Sequence, residues 1–140
     1  VTNHHLGVAH QLREIRKTRA WLQQIIEGQG FRIGEITVVL CSDEHLLQIN
    51  MESLDHHYYT DIITFDYRVD DIVSGDLFIS VDRVKENAKI HEVSTSHEMR
   101  RVCAHGVLHL CGFGDKTQDE AKEMRRQEDR WLNKFHVEQS

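Results

Sequence analysis

The chain has 140 residues and no proline, which at this length is most simply one domain around one hydrophobic core. Hydrophobic residues make up 39% of it and charged residues 29%, which is typical of a globular protein and excludes a disordered one. The formal charge of −6 excludes the strongly basic surface of a dedicated DNA-binding module, but it leaves RNA binding through a local basic patch open.

The first half of the chain is predicted to form a helix, a strand and a short helix. Apolar residues recur at helical spacing over 11–27, where Gly28 can end the helix, and β-branched residues predict a strand over 33–41. Ser42 can cap the short helix that follows, to about residue 51. The first ten residues leave two structures open, an edge strand or a frayed lead-in.

Two strands and a helix are predicted next. The strands fall at 60–67 and 75–81, and the link between them is short enough for an antiparallel hairpin. The helix follows at 82–91. These elements would place the middle of the chain in a sheet that the flanking helices cover.

The last part of the chain is predicted to be helical. A long helix at 95–111 opens on a capping box, Thr95 with Glu98. A second capping box, Thr117 with Glu120, opens a charged helix that ends near residue 135. The whole order predicts a single α+β domain over residues 1–140, with a small mixed β-sheet of about four strands packed with about five helices.

The composition also bounds where the protein works. No apolar run approaches the roughly 20 residues that span a bilayer. No signal peptide opens the chain, so a soluble, cytoplasmic protein is expected. Cys103 and Cys111 fall on one predicted helix with Cα atoms roughly 12 Å apart, too far for a disulfide. With Cys41 they are expected to be free thiols of a reducing compartment.

The strongest chemical signal is a pair of histidines, His105 and His109, four residues apart on the long predicted helix. That spacing puts both imidazoles on one face, one turn apart, where both can bind a single ion. Gly112 and Gly114 then let the backbone turn out of the helix, so that Asp115 can fold back and supply a third, carboxylate ligand. Three protein ligands leave a fourth position for water, whereas a closed structural site would have four.

The residue after the first histidine argues against a peptidase. Zinc proteases with this histidine spacing carry a glutamate there as general base, and this chain has Gly106. A metal lowers the pKa of its bound water to about 7 without that glutamate. Hydrolysis therefore stays feasible where the electrophile or another carboxylate handles the proton, and a phosphodiester is one such electrophile.

Three motifs resemble the YbeY family of rRNA-maturation endoribonucleases. HGVLHLCGF at 105–113 resembles the family signature His-Gly-x-Leu-His-Leu-x-Gly-aromatic-Asp-His. TDIITF at 60–65 and GDLFIS at 75–80 resemble two strand motifs of the family, in the same order and at fitting spacing. The resemblance covers about residues 35–130.

The resemblance implies a zinc-dependent, single-strand-specific endoribonuclease whose metal-bound water attacks the phosphodiester. The implied role is rRNA 3′-end maturation and ribosome quality control in the bacterial cytoplasm. One Zn2+ ion would be the cofactor, and single-stranded ribosomal RNA the substrate. The ribosome or small-subunit proteins would be the partners, and neither membrane nor DNA would be bound.

The chain departs from the family signature at the third ligand. The family's third histidine falls on Asp115, and its preceding aspartate on Gly114. If Gly114 is instead an insertion, that histidine falls on Lys116, which fails as a ligand because a protonated lysine cannot coordinate a metal. The expected metal ligands are therefore His105, His109 and Asp115. The carboxylate lowers the charge of the centre by one unit and leaves open whether zinc is preferred over a harder metal.

A second departure concerns the substrate phosphate. The family carries an arginine, a candidate phosphate contact, six residues before its Thr-Asp strand, and that position is Leu54 here. Arg101, one turn before His105, is the candidate replacement, and Arg100 and Lys116 are also near. Each of these cations also fits an ion-pair partner or a surface charge, so the catalytic side chain stays unknown.

Other polar residues have weaker functional interpretations. His97 lies about 80° round the helix and roughly 12 Å along it from His105, which makes it a poor ligand. Asp61 and Asp76 are either hydrogen-bond partners of the ligand histidines or residues that hold turns. The loop His56–Tyr59 fits a packing cluster better than an RNA-stacking platform, and the charged last helix fits a solvated face.

Two rival functions stay open. The same ligands could serve a metallohydrolase of another substrate class, such as a peptidase or a small-substrate hydrolase. The metal could instead only tie the long helix to the next loop, in a non-catalytic ribosome-associated protein.

Overall fold

The computed structural model describes residues 2–56 and 59–139, with side chains described over 13–56 and 59–137. Over these residues the chain forms five helices and three strands, which confirms the predicted α+β class. In chain order they are α1 (Thr2–Gly28), β1 (Arg32–Cys41), α2 (Asp43–Leu54), β2 (Ile62–Asp66), β3 (Ile72–Ser80), α3 (Val81–Ile90), α4 (Thr95–Leu110) and α5 (Gln118–Gln139).

The mixed sheet has the strand order β1–β3–β2. β1 runs parallel to β3, and β2 runs antiparallel to it, as the predicted hairpin requires. The described part of the chain has three strands rather than the expected four or so. An edge strand in the first ten residues is not formed, because the backbone from Thr2 onward continues α1 and satisfies its hydrogen bonds within the helix.

Helix α4 carries the histidine pair and lies against the sheet. A Cβ on Gly106 would come 2.8 Å from Ile62 Cδ1 and 2.9 Å from Leu77 Cδ2, so a larger residue at this helix–sheet contact would require these side chains to shift. The same holds for the glutamate that zinc proteases place at this position. The other buried residues of the helix join the hydrophobic core, namely Val102, Cys103, Ala104, Val107, Leu108 and Leu110.

The start of α4 is capped one residue earlier than predicted. Ser94, not Thr95, is the cap, and its Oγ accepts a hydrogen bond from the backbone N–H of His97 at 3.0 Å. Glu98 does not close a capping box, because its buried carboxylate lies 3.3 Å from Nδ1 of His91. The serine fits because its backbone is extended, as helix caps require.

The last helix has the predicted solvated face, on which most of its charged residues are exposed, and a second face that is buried. One face of α5 is buried in the core and includes Met124, Trp131, Leu132 and Phe135. Glu128 lies on the same face and is buried as well. The helix is therefore amphipathic. Its buried apolar residues follow Met124 by seven, eight and eleven positions, which places them on one face, and charged residues lie between them.

The thiols are free and buried to different degrees. Cys103 and Cys111 are buried, as expected for core residues, and Cys41 is half-buried. Burial raises the pKa of the Cys103 thiol to about 12 and that of Cys111 to about 11, so neither ionises at neutral pH.

None of the helices in the described ranges is long and apolar enough to cross a bilayer.

Candidate metal centre

Helix α4 and the loop after it bring the three predicted ligands together. His105 and His109 lie one turn apart, with their Nε2 atoms 3.0 Å from each other and their ring planes at 85°. Asp115 folds back from the loop, and its Oδ2 lies 3.3 Å from each of these nitrogens. The three residues form the group, among those described, whose ligand atoms lie close enough together to hold a metal ion.

The spacing of these atoms fits a small cation. Two ligands of a tetrahedral zinc ion, each about 2.0–2.1 Å from it, lie about 3.3 Å apart. The observed separations of 3.0, 3.3 and 3.3 Å match that value. The side chains are 24%, 26% and 42% exposed for His105, His109 and Asp115, so their common point is open on one side. A fourth ligand from solvent or substrate therefore has access.

The outer nitrogens of both histidines are held by hydrogen bonds. Nδ1 of His109 lies 2.8 Å from the backbone oxygen of Phe113, which can only accept, so this nitrogen carries the proton. Nδ1 of His105 lies 2.7 Å from Oε2 of Glu128, which accepts in the same way. In the neutral imidazoles both Nε2 atoms then hold lone pairs, which point toward each other and toward an anionic oxygen. Three electron-rich atoms converge with no donor between them, as in a cation site.

Glu128 is the residue of this centre that sequence reasoning missed. It lies on α5, 23 residues after His105, and its side chain is 5% exposed. Its other oxygen accepts a hydrogen bond at 3.0 Å from Arg101, which also donates to Asp129 at 2.8 Å. A carboxylate behind a ligand histidine fixes the ring and its tautomer. The signal that could have found Glu128 is its place on the buried stripe of α5, four residues after Met124.

The charges near His105 favour a positive charge at the centre. Burial alone would lower the pKa of His105, but the hydrogen bond and charge of Glu128, with the charges of Asp115 and Asp61, outweigh it and raise that pKa. Asp61 is a carboxyl at the start of β2 whose pKa is raised by burial, although His105 partly offsets this. Its charge acts on His105, which agrees with a supporting role, and that role stays a prediction.

The loop between α4 and α5 fixes the position of Asp115. Gly112 has a φ of +105°, a left-handed conformation that ends the helix and that other residues rarely adopt. A Cβ on Gly114 would come 2.6 Å from Glu120 Oε2, so the family's aspartate would require this side chain to move. The predicted capping box is confirmed, because Glu120 accepts from the N–H of Thr117 and its own N–H donates to Thr117 Oγ1, both at 3.1 Å.

The cations proposed as phosphate contacts are engaged to different degrees. Arg101 is mostly buried and donates to two carboxylates of α5. Arg100 lies 3.7 Å from the carboxylate of Glu14 and over the ring of Phe135, 4.4 Å from its centroid. Lys116 is exposed. A phosphate contact by any of them stays a prediction.

The remaining candidates lie away from the ligand atoms. His97 pairs with His136 of α5, with Nδ1 and Nε2 3.2 Å apart. The hydroxyl of Tyr67 donates to Asp76 at 3.1 Å, so Asp76 serves that contact. In the loop at 56–59, the hydroxyl of Tyr59 donates to Glu44 at 2.6 Å, and residues 57 and 58 lie outside the described ranges.

Comparisons with known proteins point to one family. The family model for Endoribonuclease YbeY matches residues 5–136. The chain is 49% identical over 119 residues to the Endoribonuclease YbeY of Flavobacterium johnsoniae, covering 85% of this chain and 86% of that one. It is 48% identical over 125 residues to the protein of the same name from Cytophaga hutchinsonii, covering 89% and 87%. The solution structure of TM1509 from Thermotoga maritima has a TM-score of 0.66 and 23% identity, over 90% of this chain and 83% of that one, which supports the fold.

Proposed function

The chain belongs to the Endoribonuclease YbeY family, and from that premise we propose that it is a metal-dependent endoribonuclease specific for single-stranded ribosomal RNA. The proposed role is 3′-end maturation of rRNA and ribosome quality control in the cytoplasm. The ribosome or its small-subunit proteins are the proposed partners. The family supplies the class of reaction, and the geometry of the centre supplies the argument for a metal.

One observation supports the metal above all others. Two imidazole nitrogens and a carboxylate oxygen lie within 3.3 Å of each other, while the imidazole protons are held on the far side of both rings. Two nitrogens and one oxygen form a ligand set that zinc accepts in hydrolytic sites with one open position. A bound ion would act as a Lewis acid and would lower the pKa of a water to about 7.

The chain's own residues prepare this centre. Glu128 holds the ring of His105, and the carbonyl of Phe113 holds that of His109, so neither ring has to reorient when a ligand binds. Asp115 brings one negative charge, which partly neutralises a divalent ion and favours a centre that is less positive than one with three histidines. Its side chain is 42% exposed, so a substrate has access to it.

A structural argument disfavours the peptidase alternative. The general base of zinc peptidases with this histidine spacing follows the first histidine directly. Here that residue is Gly106, which is packed against Ile62 and Leu77 and carries no side chain. A peptidase reaction would therefore lack its base.

The proposal is tested by metal analysis paired with cleavage assays on the full chain. The purified protein is expected to hold one zinc ion and to cut a single-stranded oligoribonucleotide, but not duplex RNA, single-stranded DNA or a peptide. Chelation should abolish cleavage, and added zinc should restore it. A folded protein that holds no stoichiometric metal would end the proposal. Metal binding without RNA cleavage would favour the non-catalytic ribosome-associated alternative.

A further inference from the structure

Arg68 lies beside the loop that follows α4. Helix α4 runs alongside β2, so that Gly106 packs on Ile62 at one end of the strand and Gly112 faces Arg68 beyond the other. A Cβ on Gly112 would lie 3.9 Å from Nη1 of Arg68, and apart from the chain neighbours of Gly112 no other described atom comes within 4 Å of that point.

Gly112 connects the contact with Arg68 to the candidate ligands. It lies just beyond the end of α4, and its N–H donates to the backbone oxygen of His109 at 2.9 Å. The backbone oxygen of the next residue, Phe113, lies 2.8 Å from Nδ1 of His109. A group that contacts Gly112 is thus beside the loop that holds His109 and carries Asp115.

The guanidinium of Arg68 is free to bind an anion. It lies over the ring of Phe31, 5.0 Å from the centroid, and the side chain is exposed. No carboxylate of the described residues forms an ion pair with it, and the nearby Asp66 accepts from the backbone N–H of Arg68 instead, at 2.8 Å. A guanidinium that stacks through its face keeps its N–H donors at the edge. Arg101, by contrast, donates hydrogen bonds to two carboxylates, those of Glu128 and Asp129.

From this arrangement we propose that Arg68 binds a phosphate of the RNA strand next to the one held at the metal centre, and so sets the path of the strand. The inference rests on the proposed function. The strand is a polyanion, whereas the chain has a net charge of −6 and its centre contains Asp115 and Glu128, so backbone binding needs an uncommitted cation. An arginine suits this role because its fork of donors matches two phosphate oxygens.

The test compares Arg68→Gln with a matched control, Arg16→Gln, in the zinc-loaded full chain. Arg16 is also exposed and has no described ion pair, but it lies on α1 roughly 18 Å before the end of that helix at Gly28. Binding of a fluorescent single-stranded oligoribonucleotide is followed by anisotropy over about 50 to 200 mM salt. Cleavage rates, zinc content and Tm are measured on the same samples.

Arg68→Gln is expected to weaken binding about tenfold at low salt, and to reduce the slope of log affinity against log salt by about 0.7, the value for one phosphate contact on a single strand. KM should rise more than kcat falls, and Arg68→Lys should restore most of the affinity. Zinc content and Tm should stay at the wild-type values, which a merely structural role would not predict.

The outcomes separate this inference from the proposed function. If the wild-type protein neither binds nor cleaves single-stranded RNA, the proposed function is wrong, and the phosphate contact assigned to Arg68 is wrong with it. If the wild-type protein is active and Arg68→Gln matches Arg16→Gln in affinity and salt slope, only the assignment of Arg68 is overturned. If Arg68→Gln lowers Tm, Arg68→Lys tests the assignment instead. A phosphate contact predicts that Arg68→Lys keeps the wild-type slope of log affinity against log salt, and a changed slope would overturn the assignment.

Discussion

Helix α4 takes part in two close histidine pairs that differ in what surrounds them. His105 and His109 lie with their Nε2 atoms 3.0 Å apart. His97, on the first turn of the same helix, has its Nδ1 3.2 Å from Nε2 of His136 on α5. Since the two separations are nearly equal, the distance between imidazoles does not tell a metal centre from a side-chain contact.

The environment of the two pairs makes the distinction. Around His105, carboxylates outweigh the effect of burial and raise the pKa of the imidazole. The pKa of His97 is lowered by burial, and positive neighbours add to that effect, namely His136, Arg101 and Arg100. The first pair therefore attracts positive charge, and the second disfavours it. A converging carboxylate completes the first pair, and no described residue does this for the second.

The largest expected effect comes from removing a ligand of the first pair. His109→Ala should lower zinc affinity by more than about a hundredfold, because only two ligands remain, and RNA cleavage should fall with it. His97→Ala is the matched control on the same helix and should leave zinc content and cleavage within about twofold. If both variants lost zinc and cleavage activity equally, the proposed difference between the His105–His109 pair and the His97–His136 pair would be wrong. The comparison of His109→Ala with His97→Ala is made on zinc content, measured by mass spectrometry, and on initial cleavage rates.

The carboxylate ligand gives the next largest effect. Asp115→Ala should lower zinc affinity about a hundredfold, since it removes both a donor atom and a negative charge from the centre. Asp115→His, which places the family's ligand type there, should recover most of that affinity. Competition with a chromogenic chelator measures both. If Asp115→Ala binds zinc as tightly as the wild type, the carboxylate is not a ligand.

The supporting carboxylate of α5 sharpens the comparison further. Glu128→Gln should reduce zinc affinity about tenfold to a hundredfold, because the amide can no longer hold the protonated Nδ1 of His105 with a charged acceptor. Asp129→Asn serves as the control, since it loses only the exposed partner of Arg101. Glu128→Gln should also unfold at a lower temperature than Asp129→Asn, because it weakens a buried ion pair with Arg101 rather than an exposed one. An identical zinc affinity in both would show that the contact with Glu128 does not support the metal.

The smallest effect concerns the second pair and the pH dependence of stability. Because the pKa of His97 is lower in the folded protein than in the unfolded chain, the unfolded state takes up the proton more readily. The free energy of unfolding should therefore fall as the pH drops below about 6.5, the ordinary value for histidine. The contribution of this partly exposed group should stay below about 1 kcal/mol.

Urea unfolding at several pH values measures the contribution of His97 to the free energy of unfolding. His97→Gln should unfold with a weaker dependence on pH between neutral and mildly acidic conditions. His91→Gln is a useful control, because it replaces another histidine near the start of α4. If His97→Gln and the wild type have parallel pH profiles, His97 does not carry the effect.

The convergence of the three candidate ligands could be predicted from the sequence because it depends on local geometry. Two histidines four apart share a helix face whatever the helix packs against, and the glycines after them permit a turn that returns Asp115. The same locality made the capping box of Thr117 and Glu120 predictable.

Tertiary contacts account for what the sequence did not show. Glu128 reaches His105 only because α5 docks on α4, and a charged helix does not reveal in advance which of its carboxylates is buried. The commitment of Arg101 to that carboxylate follows from the same docking. The fourth strand was not formed because its candidate segment extends α1, a choice that local propensity alone left undecided.

The position of Glu128 on the last helix has a consequence for biosynthesis. A nascent chain that has been translated as far as Asp115 already contains all three ligands, but not the carboxylate that orients the first of them. The nuclease would thus mature only after α5 has left the ribosome and docked. Until then, the zinc affinity of the centre would be lower by about the tenfold to hundredfold expected for Glu128→Gln.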